Sequence, residues 1–340
     1  MGFKRLEADD FVVSAQAQTS TAWTGNLPTL TDFFTQDSQV VGASGEYYVT
    51  VFNEDPTGSN AEAQFEIAYG NETGGGTYDY NHSAVPGVSP SKTIYGQYRT
   101  LVLEDENSSF VFGGVTGSSI YALSIERSRY KQSLFPGSLN LRLTGGGQTL
   151  NLTDNSNMVS VPEYYGTMRA YQVISGSNGK SYNSGTGGTG YTTLSGSYGL
   201  FLPDIGTILL NGDALDLESA EGISLGTDQA ENSPGANPIK LFTAISASKS
   251  FGLNSEETIT SDFVFVRTRN SEFNYSENPS YISGSTGEVI YNYFINNPQT
   301  YITTVGMYND SNELLAVAKL SKPLNKDFTK ESLIRVKLDF

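Results

Sequence analysis

The chain has 340 residues, no cysteine and a net charge of −16, and only 16% of its residues are charged. A nucleic-acid partner requires clustered lysine and arginine, and a disulfide or thiolate metal site requires cysteine, so neither is expected. The 36 glycines, 21 tyrosines and 18 phenylalanines favour strands and turns. We therefore predict an all-β chain with a few short helices, built from β-sandwich-like domains with long glycine-rich loops.

The sequence predicts neither export nor membrane insertion. Acidic residues stand near the N-terminus where a secretory signal needs an apolar core, and no apolar run has the length of a membrane-spanning helix. We therefore expect synthesis and assembly in a cytoplasm, with no membrane partner.

Residues 1–44 are predicted to form an N-terminal arm. Within it, residues 11–23 could form a strand and residues 27–36 a short helix. Large aromatic side chains in otherwise polar sequence often mark interfaces, although the arm could instead fold back on its own domain. The candidate anchors on a neighbouring subunit are Phe11, Trp23, Phe33 and Phe34.

Residues 45–170 are predicted to form a β domain. Polar and apolar residues alternate along its segments, which is typical of strands with one buried and one solvated face. The glycine run 145–147 separates two such segments, as a tight turn does. The main predicted strands are 46–52, 63–69, 93–103, 109–113, 120–130, 139–143 and 149–153.

The second half of the chain is predicted to be less regular at first and then β-rich. Residues 171–238 form a glycine- and serine-rich connecting region with a compact apolar segment. Residues 239–340 form a C-terminal β domain, which ends in a hairpin. Its other predicted elements are strands at 258–269, 287–295 and 333–340 and a short helix at 326–332.

The predicted terminal hairpin joins residues 301–308 to residues 313–320 through the polar connector 309–312. If its apolar face is buried, the change Val317→Asp would place a charge in the core and destabilise the fold. With a simple connection, that face carries Ile302, Tyr308, Leu315 and Val317.

Two arginine pairs are candidate interface groups, Arg127 with Arg129 and Arg267 with Arg269. Each pair stands at the end of a predicted strand, where alternate residues share a face. The two guanidinium groups could then bind carboxylates bidentately, either on a partner or within the chain. An internal salt bridge or a solvated strand face is the alternative.

The sequence predicts no catalytic, metal or cofactor site, and we therefore expect a protein that is not an enzyme. The single histidine, His82, has no neighbouring nucleophile motif, and no serine lies in a nucleophile elbow. The glycine-rich runs lack the lysine and hydroxyl residue of a phosphate-binding loop. Acidic clusters such as residues 104–106 follow strands, where solvated turns are expected.

Residues 273–340 resemble tail and baseplate structural proteins of contractile-tailed bacteriophages, the myoviruses, especially those of cyanobacterial and marine phages. The hairpin at 301–323 and the last strand carry the resemblance, and residues 127–141 and 196–211 extend it more loosely. It implies a virion subunit of the tail or baseplate, present in several symmetric copies, assembled in the host cytoplasm and without activity or cofactor. Its partners would be other virion proteins, and the apolar last strand, ending at Phe340, could add to a neighbouring sheet edge.

Two other functions are kept as alternatives. A peripheral tail protein could bind a host receptor or carbohydrate, and an acidic, β-rich chain could also decorate the head. For host binding, tyrosine-rich segments would supply the contact surface through Tyr78, Tyr80, Tyr95 and Tyr98.

Overall fold

The computed structural model describes residues 3–36, 48–74, 89–182, 193–218, 221–229, 235–276 and 278–339. Four residues named above, Tyr78, Tyr80, His82 and Phe340, lie outside these ranges. The chain divides into two compact units. The central unit is Gln18–Glu257, and the terminal unit combines Met1–Ala17 with Thr258–Phe340.

The prediction of a β-dominated fold is confirmed, because strands outnumber helices throughout the described residues. The α-helices there are α1 (Pro90–Leu103), α2 (Gly212–Leu215), α3 (Ala236–Ser248) and α4 (Asn292–Asn296). The strands are β1 (Phe11–Thr21), β2 (Thr29–Leu30), β3 (Tyr48–Phe52), β4 (Ala63–Asn71), β5 (Val111–Phe112), β6 (Val115–Thr116), β7 (Ser119–Ile125), β8 (Ser133–Leu134), β9 (Asn140–Gly145), β10 (Gln148–Asp154), β11 (Glu163–Tyr165), β12 (Met168–Ser177), β13 (Lys180–Ser181), β14 (Gly199–Leu202), β15 (Thr207–Asn211), β16 (Phe251–Gly252), β17 (Asn254–Thr268), β18 (Thr300–Tyr308), β19 (Leu314–Lys326) and β20 (Ser332–Asp339).

The central unit is built on one antiparallel sheet that curls on itself. Its strand order is β2-β16-β9-β10-β12-β14-β15-β7-β4-β3, and β11 and β13 pair with β12. Phe251, near one end of this order, contacts Phe65 of β4 with ring centroids 5.3 Å apart. The face that both rings occupy is therefore concave, and it encloses the main core of the unit, which we call the inner core.

Alternation along the central strands gives the sheet an apolar inner face and an apolar outer face. In β7, Tyr121 and Leu123 join the inner core, whereas Ile120 and Ala122 join a second cluster on the outer face. Helix α3 adds Leu241, Ala244 and Ile245 to the inner core, and α1 adds Tyr95 and Val102 to the outer cluster.

The structure corrects the predicted strand at 93–103, which is helix α1. Ser89 caps the helix by accepting a hydrogen bond from the Lys92 backbone N–H, and Pro90 occupies its first turn. Tyr95 and Val102 stand seven residues apart, two helical turns, and both are buried. The sequence carried this cap, but its aromatic and β-branched residues favoured a strand.

The predicted connecting region 171–238 is instead part of the central sheet. Strands β12, β14 and β15 lie in the middle of the strand order, and every residue of β14 and β15 is buried. Strands that are covered on both faces read as continuous apolar runs without alternation. The N-terminal arm also differs from its prediction, because residues 29–30 form strand β2 where a short helix was expected. At the end of the predicted connecting region, helix α3 begins at Ala236, where no helix was expected.

The terminal unit contains a sheet in which β17 pairs with β20 from Ser261 opposite Asp339 to Thr268 opposite Ser332. Strand β1 is the neighbour of β17 on the other side. Val264, Ile334 and Val336 form a small core, which we call the terminal core, and residues of β18 and β19 pack against it.

The predicted hairpin is confirmed as the pair β18–β19, which we call the terminal ribbon, with its turn at 309–312. The set of side chains on its buried face differs from the prediction, because residues 321–323 bulge out of register. Ile302 therefore packs against the terminal core, while Val317 is exposed. The predicted strand at 287–295 is wrong, because α4 lies there, and the predicted helix at 326–332 is a turn between β19 and β20.

Candidate functional site

Two of the four predicted aromatic anchors are part of the chain's own inner core. Trp23 is 2% exposed and Phe33 is 8% exposed, and the Trp23 indole Nε1 donates a hydrogen bond to the Phe251 carbonyl at 2.7 Å. Buried side chains leave no surface for a neighbour, so the prediction is corrected for these two. Phe11 and Phe34 are exposed and remain candidate contacts.

The first arginine pair does not share a strand face, because residues 127–129 form a turn of 3-10 helix. The Arg127 guanidinium stacks over the Tyr130 ring at 4.6 Å, and Arg129 forms an ion pair with Glu62 at 2.8 Å. These contacts are internal, as the alternative interpretation expected.

The second arginine pair lies in the terminal unit and is split by the end of β17. Arg267 forms an exposed ion pair with Glu331 at 3.5 Å, and the Arg269 backbone N–H donates to the Glu272 carboxylate at 2.8 Å. Exposed pairs of this kind contribute little stability. No described contact brings Arg267 and Arg269 together into a single carboxylate clamp.

Two tyrosines proposed as host contacts support the outer cluster instead. Tyr95 is buried, donates to the Gly117 carbonyl at 3.1 Å and accepts from the Phe110 N–H at 3.1 Å. The Tyr98 hydroxyl bonds the Ser124 hydroxyl at 2.9 Å. Burial raises the pKa of both tyrosines above its usual value, so they stay neutral and structural.

The terminal ribbon exposes apolar side chains on the face that does not contact the terminal core. Leu315 is 68% exposed and Val317 is 58% exposed, and they stand two residues apart on β19, so they share a face. Tyr308, at the end of β18, packs edge-on against Phe3 with ring centroids 5.3 Å apart. We call Tyr308, Leu315 and Val317 the exposed ribbon face.

The edges of the ribbon are also unpaired among the described residues, since β18 and β19 pair only with each other. Unpaired strand edges offer rows of backbone N–H and C=O groups to another strand. A two-stranded ribbon on its own is marginally stable. Apolar exposure and free edges together therefore define a surface suited to a protein partner.

Lys326 fixes the base of the ribbon. Its side chain is fully buried, and its ammonium Nζ donates to the Asn270 carbonyl at 3.0 Å and to Asn274 Oδ1 at 2.8 Å. A third bond reaches the Asp327 carbonyl at 3.0 Å. Three oxygen acceptors satisfy the three ammonium protons, which is what allows a lysine to be buried.

A polar groove of about 470 Å³ lies on the outer face of the central sheet, beside β9, β10 and β16. Leu141 and Leu143 of β9 point into the inner core, so Asn140 and Arg142 point outward into the groove region. Asn151 of β10 is the register partner of Arg142 and also lines the groove. The sequence alternation at 139–143 predicted this solvated face but not the groove.

Asn140 holds the groove wall in place through four hydrogen bonds. Its Oδ1 accepts from Ser177 Oγ at 3.1 Å and from the Asn178 N–H at 2.9 Å. Its Nδ2 donates to the Ser138 carbonyl at 3.2 Å and to Asn178 Oδ1 at 3.0 Å. Asn178 adopts a φ of +52°, a conformation that asparagine tolerates better than most residues. The wall is therefore preorganised by the chain itself.

Other groove side chains have no protein partner among the described residues. These are the guanidinium of Arg142, the amides of Asn151 and Asn254, the Nδ2 of Asn178 and the hydroxyl of Tyr182. Arg142 is the one charged residue among the described residues that line the groove. Asp154 lies close by but is fully buried, and its oxygens accept from the Gly137 and Ser156 N–H groups.

A separate ionic network ties β12 to its neighbours and is structural. The Arg169 guanidinium donates to Asp204 Oδ1 at 2.7 Å and to the Ser133 hydroxyl at 3.1 Å. Glu256 stands 3.7 Å from the same guanidinium. The hydrogen bond that the guanidinium donates to the Asp204 carboxylate raises the pKa of Arg169, which stays charged. All acceptor groups around it belong to the chain.

The described residues hold no group of three or more histidine, aspartate or glutamate side chains positioned for a metal ion. None of the helices described here is both long enough and apolar enough to span a membrane. In comparisons with known proteins, no family model, no curated protein and no solved structure matches the chain.

Proposed function

We propose that this protein is a non-enzymatic structural subunit of a bacteriophage tail or baseplate, where several symmetric copies join neighbouring virion proteins. The resemblance to myovirus tail proteins is strongest over residues 273–340, which form most of the terminal unit. The part of the chain that carries the resemblance is therefore also the part that exposes the terminal ribbon.

The exposed ribbon face is the observation that carries the proposal. Leu315 and Val317 project from β19 on the side away from the terminal core. Burying one such side chain in an interface contributes about 1.5 to 3 kcal/mol. A partner strand on either free edge would add backbone hydrogen bonds, which is the common mode of strand addition. A protein neighbour thus satisfies both features at once.

Purified virions separated into tails and heads test the proposal by quantitative mass spectrometry. We expect peptides of this chain in the tail fraction, in a fixed ratio above one copy per particle. Peptides confined to the heads would identify a decoration protein instead. Absence from both fractions would rule out a virion subunit.

A further inference from the structure

We propose that the polar groove on the outer face of the central sheet binds a carboxylate-bearing sugar, with Arg142 receiving the carboxylate. This site lies in the central unit, uses none of the terminal ribbon, and does not depend on where the protein stands in a particle. It adds a ligand-binding activity to the structural role.

The groove carries a positive charge in a chain that is otherwise strongly acidic. The chain carries 36 acidic residues and a net charge of −16, so most of its surface repels an anion. The described lining of the groove contains no carboxylate, and its one charged residue is Arg142. Two further cations, Lys180 and Lys249, adjoin groove segments in sequence and are exposed. An anion therefore meets less repulsion here than on the rest of the surface.

The geometry around Arg142 suits a carboxylate. Its guanidinium has no acidic partner among the described residues, whereas Arg129 and Arg169 of the same unit form ion pairs with Glu62 and Asp204. A guanidinium binds a carboxylate through two parallel N–H···O bonds. Asn151, directly opposite on β10, places an amide beside the same oxygens.

The remaining free groups match the hydroxyls of a sugar rather than an apolar ligand. The Asn254 amide offers both a donor and an acceptor, and the free Nδ2 of Asn178 adds a donor, which is what hydroxyl groups require. Tyr182 presents an exposed ring with a polar tip, and an aromatic face can pack against the C–H face of a sugar ring. A volume of about 470 Å³ lies within the range of small-molecule binding sites.

Preorganisation of the wall favours binding. Three of the four hydrogen bonds of Asn140 fix residues 177–178, and the fourth reaches the Ser138 carbonyl. Asn157 Nδ2 also donates to the Asn178 carbonyl at 2.8 Å. The Gly179 N–H adds a bond to Thr153 Oγ1 at 2.8 Å. A wall that is already ordered loses little conformational entropy when the ligand arrives.

Isothermal titration calorimetry on the full chain tests the site with three probes of similar size. They are tri-galacturonic acid, neutral galactotriose and a triglutamate peptide. We expect tri-galacturonic acid to bind, and Arg142→Met to weaken its affinity about tenfold or more, as loss of a charged hydrogen-bond pair does. Asn151→Ala should cause a smaller loss. Lys92→Met removes an equal charge from the exposed side of α1 and should leave the affinity for tri-galacturonic acid unchanged.

The outcomes separate the possibilities. No binding of tri-galacturonic acid by the parent, or equal affinity in Arg142→Met, would overturn the proposal. Equal binding of galactotriose would remove the role of the carboxylate, and tighter binding of triglutamate would assign the groove to an acidic peptide. Arg142 and Asn151 are outward-facing, so both variants should melt like the parent. None of these results bears on the presence of the chain in tails, which tests the structural role separately.

Discussion

Phe34 and Phe52 exchange two backbone hydrogen bonds, at 3.0 Å and 2.8 Å, and so join the two ends of the central sheet. Phe34 follows β2, the first strand of the sheet order, and Phe52 ends β3, the last. The curl is therefore closed by a main-chain bridge at this point, and α3 contributes Leu241, Ala244 and Ile245 to its inner core.

The two adjacent phenylalanines beside this closure should respond differently to truncation. Phe33 is buried and packs edge-on against Phe65 with ring centroids 6.4 Å apart, whereas the Phe34 side chain is exposed. We expect Phe33→Ala to lower the free energy of unfolding by about 3 to 5 kcal/mol, and Phe34→Ala by about 1 kcal/mol. Chemical denaturation of the two variants gives the comparison. Equal losses would contradict the placement of Phe33 in the inner core.

Trp23 is the single tryptophan, so fluorescence reports on the inner core directly. Its ring is buried and its indole N–H is bonded to the Phe251 carbonyl. We expect blue-shifted emission and weak quenching by acrylamide in the native protein, and a red shift with full quenching in denaturant. Strong quenching of the native protein would instead favour an exposed N-terminal arm.

Lys326 should be essential to the stability of the terminal unit. In Lys326→Met, the Asn274 side-chain oxygen and the Asp327 carbonyl lose their donor while both residues remain buried. Each unsatisfied group costs about 1 to 3 kcal/mol, so we expect a loss of about 3 kcal/mol or more, seen by calorimetry as an earlier melting of this unit. Lys319→Met, on the exposed side of the same strand, is the matched control and should melt like the parent. If both variants melted alike, the buried ammonium would not hold the ribbon base.

The turn after β19 predicts a stability change at low pH. The Lys330 ammonium and the hydroxyl and N–H of Thr329 bond the Asp327 carboxylate and lower its pKa from 3.8 to about 2. A carboxyl with a lowered folded pKa stabilises the fold above its unfolded pKa and loses that effect as the pH falls to its folded pKa. The parent should therefore lose stability between pH 4 and 2.

Asp327→Asn should remove this part of the pH dependence, and Asp310→Asn, in the exposed hairpin turn, should keep it. Melting temperatures from pH 6 to pH 2 provide the measurement. A parent and an Asp327→Asn variant with the same slope over that range would show that this carboxylate does not contribute.

The local alternation of polar and apolar residues predicted the strands that have one buried and one solvated face. The alternation at 139–143 and 149–153 gave the pair β9–β10, and the polar connector 309–312 gave the terminal ribbon. Continuous apolar runs such as β14 and β15 carry no period, so their place in the middle of the sheet could not be predicted.

The features of the fold and the site that the sequence did not predict depend on contacts between residues far apart in the chain. Whether the Val317 side chain points to the terminal core or to solvent depends on a bulge that contains Pro323, and local alternation does not show that bulge. The groove is lined by residues drawn from the segments 28–29, 135–142, 151–152, 176–182 and 250–254, which the sheet brings together from distant parts of the sequence. Trp23 and Phe33 were predicted as interface anchors because their burial partners, such as Phe251, lie far away in sequence.

The assignment of a protein partner to the terminal ribbon is tested most directly by the change Val317→Asp, measured as the occupancy of the chain in purified tails. Val317 is exposed, so the variant should melt like the parent, whereas Leu320→Asp, which points at the terminal core, should be destabilised. We expect Val317→Asp to fold normally and to be lost from tails, because a charge on the exposed ribbon face opposes burial against a neighbour. Tails that contain the folded Val317→Asp protein at parental occupancy would contradict the account.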